Sequence, residues 1–160
     1  MVSRVIYGPG SFDQLGEILE PLRKPGKETV VFLMDDVFED GRLHGRVPAL
    51  KEDLLILISA SEEPKTQQVD ALVAQIKAKC ESTPVAIVGI GGGTLLDLAK
   101  AVAIMMTNAG SAADFQGWDL VREKALYHIG IPTLSGTGAE VSRTTVLLGP
   151  ERKLGINSDH

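Results

Sequence analysis

Val85-Ala-Ile-Val-Gly-Ile-Gly-Gly-Gly-Thr-Leu-Leu-Asp97 decides how the chain is read. Its apolar start predicts a strand buried on both faces, and the residues after it repeat at helical spacing. Between them, three consecutive glycines form a tight turn at a helix N-terminus. Unpaired backbone N–H groups and the positive end of the helix dipole meet there, and glycine lets an anion approach the backbone closely. The expectation is a phosphate-binding turn, with Thr94 adding a hydroxyl to the phosphate and capping the helix.

Working outward, strand-like runs alternate with helical ones. Val2–Tyr7 reads as a short strand, and Gly8-Pro-Gly10 as a turn. Ser11 and Gln14 then form a capping-box pair, followed by a helix carrying Leu15, Ile18, Leu19 and Leu22. Thr29–Met34 and Leu54–Ile58 are buried-strand runs, and Thr66–Cys80 is a helix with Val69, Leu72, Val73 and Ile76 on one face. A helix from Thr94 to Thr107, a strand over Ala125–Ile131, and a hairpin of Thr144–Leu148 with Lys153–Asn157 complete the order. Alternation of this kind specifies an α/β fold: a Rossmann-like, mostly parallel sheet with helices on both faces, plus a C-terminal β-hairpin. Ligands of such sheets bind outside the carboxyl ends of the strands.

Composition narrows the function. The 160 residues fit one domain, and a formal net charge of −5 argues against nucleic acid or an anionic membrane surface as partner. Cys80 is the single cysteine, so no internal disulfide forms, and no Cys/His cluster has zinc spacing. The sequence contains no apolar run of membrane-spanning length and no signal-peptide layout, so a cytoplasmic setting is expected.

Gly89-Ile-Gly-Gly-Gly-Thr94 departs from the G-x-G-x-x-G fingerprint: Thr94 stands at the third glycine, and the turn follows the fourth expected strand rather than the first. The candidate ribose acid, Asp35, precedes the glycines. Its carboxylate either accepts from adenosine ribose hydroxyls, favouring NAD over NADP, or caps the next segment. Thr133-Leu-Ser-Gly-Thr-Gly-Ala-Glu140 is rich in hydroxyls but does not match a nucleophile elbow. His128 reads as a packed or surface residue, Trp118 as a packing anchor for its loop, and Cys80 as inert.

Taken together, the motifs resemble a known family. Gly8-Pro-Gly-Ser11, Gly91-Gly-Gly-Thr-x-x-Asp97-x-Ala99-Lys100, Ile131-Pro-Thr-x-x-Gly136-Thr-Gly-x-Glu140 and Lys153-x-Gly-Ile156 occur in that order. The chain is similar to the N-terminal, dinucleotide-binding domain of the iron-containing (group III) alcohol dehydrogenases, relatives of glycerol dehydrogenase and dehydroquinate synthase. Within the family, Phe115-Gln-Gly-Trp-Asp119 and Ser135-Gly-Thr-Gly-Ala-Glu140 resemble most the 3-deoxy-manno-octulosonate 8-oxidase branch, which serves lipopolysaccharide sugar synthesis.

The resemblance implies roles. Gly91, Gly92, Gly93 and Thr94 would cradle the diphosphate, with Asp97 nearby. Asp35 would meet the adenosine ribose, and Pro64 would border the adenine. Thr133, Leu134 and Thr137 would approach the diphosphate, ribose or nicotinamide, and Lys153 the nicotinamide ribose. The cofactor would be NAD, and the substrate an alcohol of a polyol or sugar acid. The family's second, all-helical domain supplies a divalent iron or zinc site from one Asp and usually three His. Those ligands come later in the motif order than Asp159 and His160, so residues 1–160 are expected to be a dinucleotide-binding domain truncated before the metal site. This chain would hold neither catalytic nor metal-binding residues and would be inactive alone, whereas the full-length form would be a homo-oligomer. A dehydroquinate-synthase-like or glycerol-dehydrogenase-like domain and a non-catalytic nucleotide-binding fragment are the alternatives.

Overall fold

The computed structural model describes residues 2–26 and 28–158. Asp159 and His160 lie outside them. Four strands form a wholly parallel sheet in the order β2-β1-β3-β5: β1 (Val30–Asp35), β2 (Leu54–Ile58), β3 (Ala86–Gly91) and β5 (Tyr127–Pro132). The continuous apolar runs explain the centre: every residue of β3 is buried, as is β1 up to Met34. Leu33 pairs with Ile56 on one side and Gly89 on the other.

The sheet separates two apolar layers. Val31, Leu33, Ile87 and their neighbours pack against α2 (Thr66–Lys79) and α3 (Gly93–Met105). Phe32, Met34, Val88 and Ile90 pack against Leu15 and Leu19 of α1 (Leu15–Leu19). Helix α3 lies unusually close to β3, because a Cβ on Gly89 would come 2.6 Å from the Cβ of Ala99. That spacing draws α3 onto the sheet and fixes where its N-terminus emerges.

A second, small sheet holds β4 (Gly117–Trp118), β7 (Lys153–Asn157) and β6 (Thr144–Leu148), in that order. The expected antiparallel hairpin is β6–β7, with Val146 opposite Gly155. Strand β4 was not legible in sequence, since its two residues pair with Ile156 and Asn157 far along the chain.

Several local readings are corrected. Val2–Tyr7 is not a strand: it makes no ladder, and Val5 and Tyr7 are 69% and 98% exposed. β-Branched residues favour a strand only where a partner supplies the pairing. The segment instead borders, with the outer side of edge strand β5, an open groove of ≈ 1740 Å³. The glycine turn therefore follows the third strand in chain order, not the fourth. Ser11 and Gln14 make no capping box: Gly10, in the left-handed region at φ 80°, holds the cap position, and Ser11 is already the first residue of a 3-10 turn. The capping box is at Ser111 and Asp114. Strand β5 runs over Tyr127–Pro132 rather than Ala125–Ile131: Pro132 forms its last rung, opposite Gly91, on an edge where its missing N–H breaks no ladder. Among the described residues, no helix is long and apolar enough to cross a membrane.

Candidate functional site

The carboxyl edge of the parallel sheet gathers Asp35, the glycine turn and the start of the loop after β5. Strand β3 ends at Gly91, Gly92 is the N-cap of α3, and Gly93 begins the helix. Thr94 is thus the second helical residue and not the cap. No side chain caps this terminus, and its first turn carries no acid, so the protein leaves the positive end of the dipole uncompensated.

The three glycines have different reasons to be glycine. A Cβ on Gly91 would stand 2.9 Å from the Cβ of Leu95 and 3.3 Å from that of Asp35. On Gly93 it would stand 2.6 Å from both Cγ2 and Oγ1 of Thr137. Gly92 differs: its φ of −78° suits any residue, and a Cβ there would meet only Leu134 Cδ1, at 3.4 Å. Packing within the chain demands glycine at the outer two positions, whereas at Gly92 it leaves the backbone open.

Asp35 Oδ1 accepts from the Val37 N–H at 3.3 Å and so caps the 3-10 turn Asp36–Phe38. Capping is thus observed, and the residue also abuts Gly91. Thr133 donates its N–H to the Gly91 carbonyl at 3.0 Å. Leu134 is 75% exposed beside Gly92, and the Thr137 hydroxyl accepts from the Ala139 N–H at 3.3 Å. These residues form one contiguous surface with the turn.

The other sequence candidates lie in different company. The Asp97 carboxylate accepts from the Val146 N–H at 3.1 Å and pairs with Lys100 at 3.2 Å, while its carbonyl accepts from the Thr145 hydroxyl at 2.6 Å. Asp97 therefore anchors β6 to α3. Pro64 is buried, and its carbonyl accepts from the Leu148 N–H at 2.8 Å. Lys153 forms an ion pair with Glu63. Trp118 is not a packed anchor: it is 69% exposed, with the Arg143 guanidinium 5.6 Å over its ring.

Lys100 and His128 were missed as a pair. Lys100 lies one turn after Asp97, and its ammonium also donates to Ser142 Oγ at 3.0 Å and to the Thr144 carbonyl. Burial lowers its pKa, opposed by Asp97 and Glu140. Its three-residue spacing from Asp97 was the available signal. Burial, with Lys100 as a smaller contribution, pushes His128 down to about 4, and its buried Nε2 has no hydrogen-bond partner. No sequence pattern marks that.

Among the described residues, no group of three or more His, Cys, Asp or Glu side chains could hold a metal ion. The uncapped helix end and the open backbone at Gly92 do fit a phosphate group.

Residues 3–160 match the sequence model of the family described as iron-containing alcohol dehydrogenase. The chain is 29% identical over 150 residues to alcohol dehydrogenase 4 of Saccharomyces cerevisiae, covering 92% of this chain and 38% of that protein. It superposes with a TM-score of 0.76 and 26% identity on NADH-dependent butanol dehydrogenase A from Thermotoga maritima, over 99% of this chain and 42% of that one. For sulfoacetaldehyde reductase from Bifidobacterium kashiwanohense in complex with NAD+, the TM-score is 0.75 and the identity 27%, over 95% and 40% of the two chains. The chain thus spans about two fifths of the length of these relatives.

Proposed function

The chain belongs to the iron-containing alcohol dehydrogenase family, and from that premise we propose that residues 1–160 are its dinucleotide-binding domain, holding NAD at the carboxyl edge of the parallel sheet. Gly92 carries the reading: neither its backbone angles nor its protein neighbours require glycine, so close approach of a ligand supplies the reason. The N–H groups of the first turn of α3 receive the diphosphate, and Leu134 and Thr137 flank it. Asp35, beside Gly91, accepts from the adenosine ribose and repels a 2′-phosphate, which favours NAD over NADP.

Bound nicotinamide supplies a hydride acceptor for an alcohol carbon. The protein's part is to fix the dinucleotide on a rigid strand–turn–helix unit. Among the described residues no side-chain group fits a divalent metal, and the domain is proposed to bind nucleotide without turning over substrate. The curated relatives are alcohol dehydrogenases, which favours hydride transfer over synthase chemistry. The narrower substrate reading, an alcohol of a polyol or sugar acid such as the octulosonate, is supported by the resemblance in residues 115–119 and 135–140. For the full-length form, a homo-oligomeric, cytoplasmic enzyme completes the proposal, and the single cysteine of residues 1–160, Cys80, suits a reducing compartment.

Calorimetric titration with NAD and NADP tests this reading. NAD is expected to bind more tightly than NADP, and Gly92→Val to lose binding while the thermal midpoint holds. Binding of neither nucleotide overturns the proposal; full affinity in Gly92→Val moves the phosphate site elsewhere.

A further inference from the structure

The apolar layer on the α1 side of the sheet runs out at β5. Val88 and Ile90 on β3 are fully buried, whereas their rung partners Ile129 and Ile131 pack against the same layer and stay only partly covered. Strand β5 ends the sheet, and among the described residues no strand pairs with its outer side. Edge strands are commonly blunted by charge or proline along their length. Tyr127–Ile131 contains no Lys, Arg, Asp, Glu or Pro.

The open groove outside β5 is bordered also by Val2–Tyr7, the segment with strand composition and no ladder. Val5, Tyr7, Tyr127 and Val141 expose apolar surface to it. Its charge is one-sided. Arg4, Lys100, Lys124 and Arg143 line it against Glu140 alone among the described residues, on a chain of net charge −5. Lys100 is paired with Asp97, and Arg143 lies 3.7 Å from Asp119, so exposed Arg4 and Lys124 carry the excess.

We infer that this groove docks an extended polypeptide strand of alternating apolar and acidic residues, paired along the outer edge of β5 and flanked by Val2–Tyr7. The alternation follows from the walls, because successive side chains of a strand point to opposite faces. Those on the α1 side cover Ile129 and Ile131, and the others are chosen by the basic lining. Main-chain pairing supplies affinity, and charge supplies selection. A second copy docked β5 against β5 would set two basic grooves together, which charge opposes. The inference stands apart from the nucleotide reading, since Asp35 and the glycine turn do not line the groove.

The test titrates the chain calorimetrically with two short peptides, one alternating Val with Glu and one alternating Val with Lys. The Val-Glu peptide is expected to bind about tenfold or more tightly at low salt, an advantage that shrinks as ionic strength rises. Amide exchange should slow in residues 3–7 and 127–131 and hold in β2, the opposite edge of the sheet. Replacing both exposed cations, Arg4→Glu with Lys124→Glu, should reverse the preference and leave the thermal midpoint unchanged. Binding of neither peptide, equal binding of both, protection of β2 instead of β5, or an unaltered preference in the double variant overturns the proposal. A chain that sediments alone as a dimer, with residues 127–131 already protected, overturns it in favour of a second copy.

Discussion

Thr137 fills the space that a Cβ on Gly93 would take, with its methyl carbon and hydroxyl oxygen each 2.6 Å from that position. The loop after β5 is therefore seated directly on the N-terminus of α3. Gly93→Ala must push this loop away, and Leu134 and Thr137 move with it. NAD affinity should fall about tenfold or more, since misplaced binding groups lose their contacts outright. Calorimetry reads the loss, and amide exchange in residues 133–140 reads the displacement. Affinity and exchange both at wild-type values would refute the seating.

Asp53 is the stability counterpart. Its fully buried carboxylate takes both terminal nitrogens of Arg23 at 2.7 Å and also accepts from the Val30 N–H at 2.8 Å and the Leu50 N–H at 2.7 Å. Asp53→Ala strands a largely buried guanidinium and two backbone donors, so a loss of roughly 3–5 kcal/mol is expected. Urea unfolding measures it. A loss under about 1 kcal/mol would show that water replaces the carboxylate.

His128 gives a pH dependence with a definite sign. Burial holds its pKa at about 4 in the folded chain, against about 6.5 in the unfolded one. Its stability contribution is fully present above pH 6.5. Below that, the unfolded chain takes up a proton that the folded chain refuses until about pH 4. Stability should thus fall across that window, by roughly 2–3 kcal/mol from this group alone. His128→Leu removes the unpartnered Nε2 and should flatten that part of the profile in urea melts at pH 4–7. An equally steep profile in the variant would assign the dependence to other groups.

Asp97 separates packing from ligand binding. Its carboxylate serves Val146 and Lys100, so Asp97→Ala should loosen the hairpin first. Amide exchange in β6 and β7 is expected to quicken about tenfold or more while exchange in β1 and β3 holds, as befits local opening. Unchanged hairpin protection would place the anchor elsewhere.

The sheet was legible where sequence and burial coincide. Val30–Met34 and Ala86–Gly91 are continuous apolar runs because both faces are covered, and the glycine turn between β3 and α3 was legible for the same reason. Readings failed where the deciding partner is distant in sequence. Val2–Tyr7 has the composition of a strand but no ladder, and Gly117–Trp118 is a strand only because Ile156 and Asn157 lie beside it. Asp97 follows the glycine motif in sequence, and its contact with the Val146 N–H of the hairpin has no local sign. Lys153 carries no local sign that Glu63 will receive it. Long-range contacts such as Lys153–Glu63 and Val146–Asp97 are set by tertiary approach, which the hydrophobic period does not encode.

The parallel order β2-β1-β3-β5 also has a kinetic consequence. Every rung joins segments separated by a crossover: Val31 meets Leu54, Val30 meets Ala86, and Ala86 meets Tyr127. Among the described residues, only the β6–β7 ladder joins strands that a short turn connects in the chain. A sheet assembled entirely from distant pairings pays its loop-closure entropy before any rung rewards it, which places refolding at the slow end of the range for a chain of this size. The strand–turn–helix unit where β3 meets α3, roofed by the loop after β5, is complete only when the last of those pairings has closed.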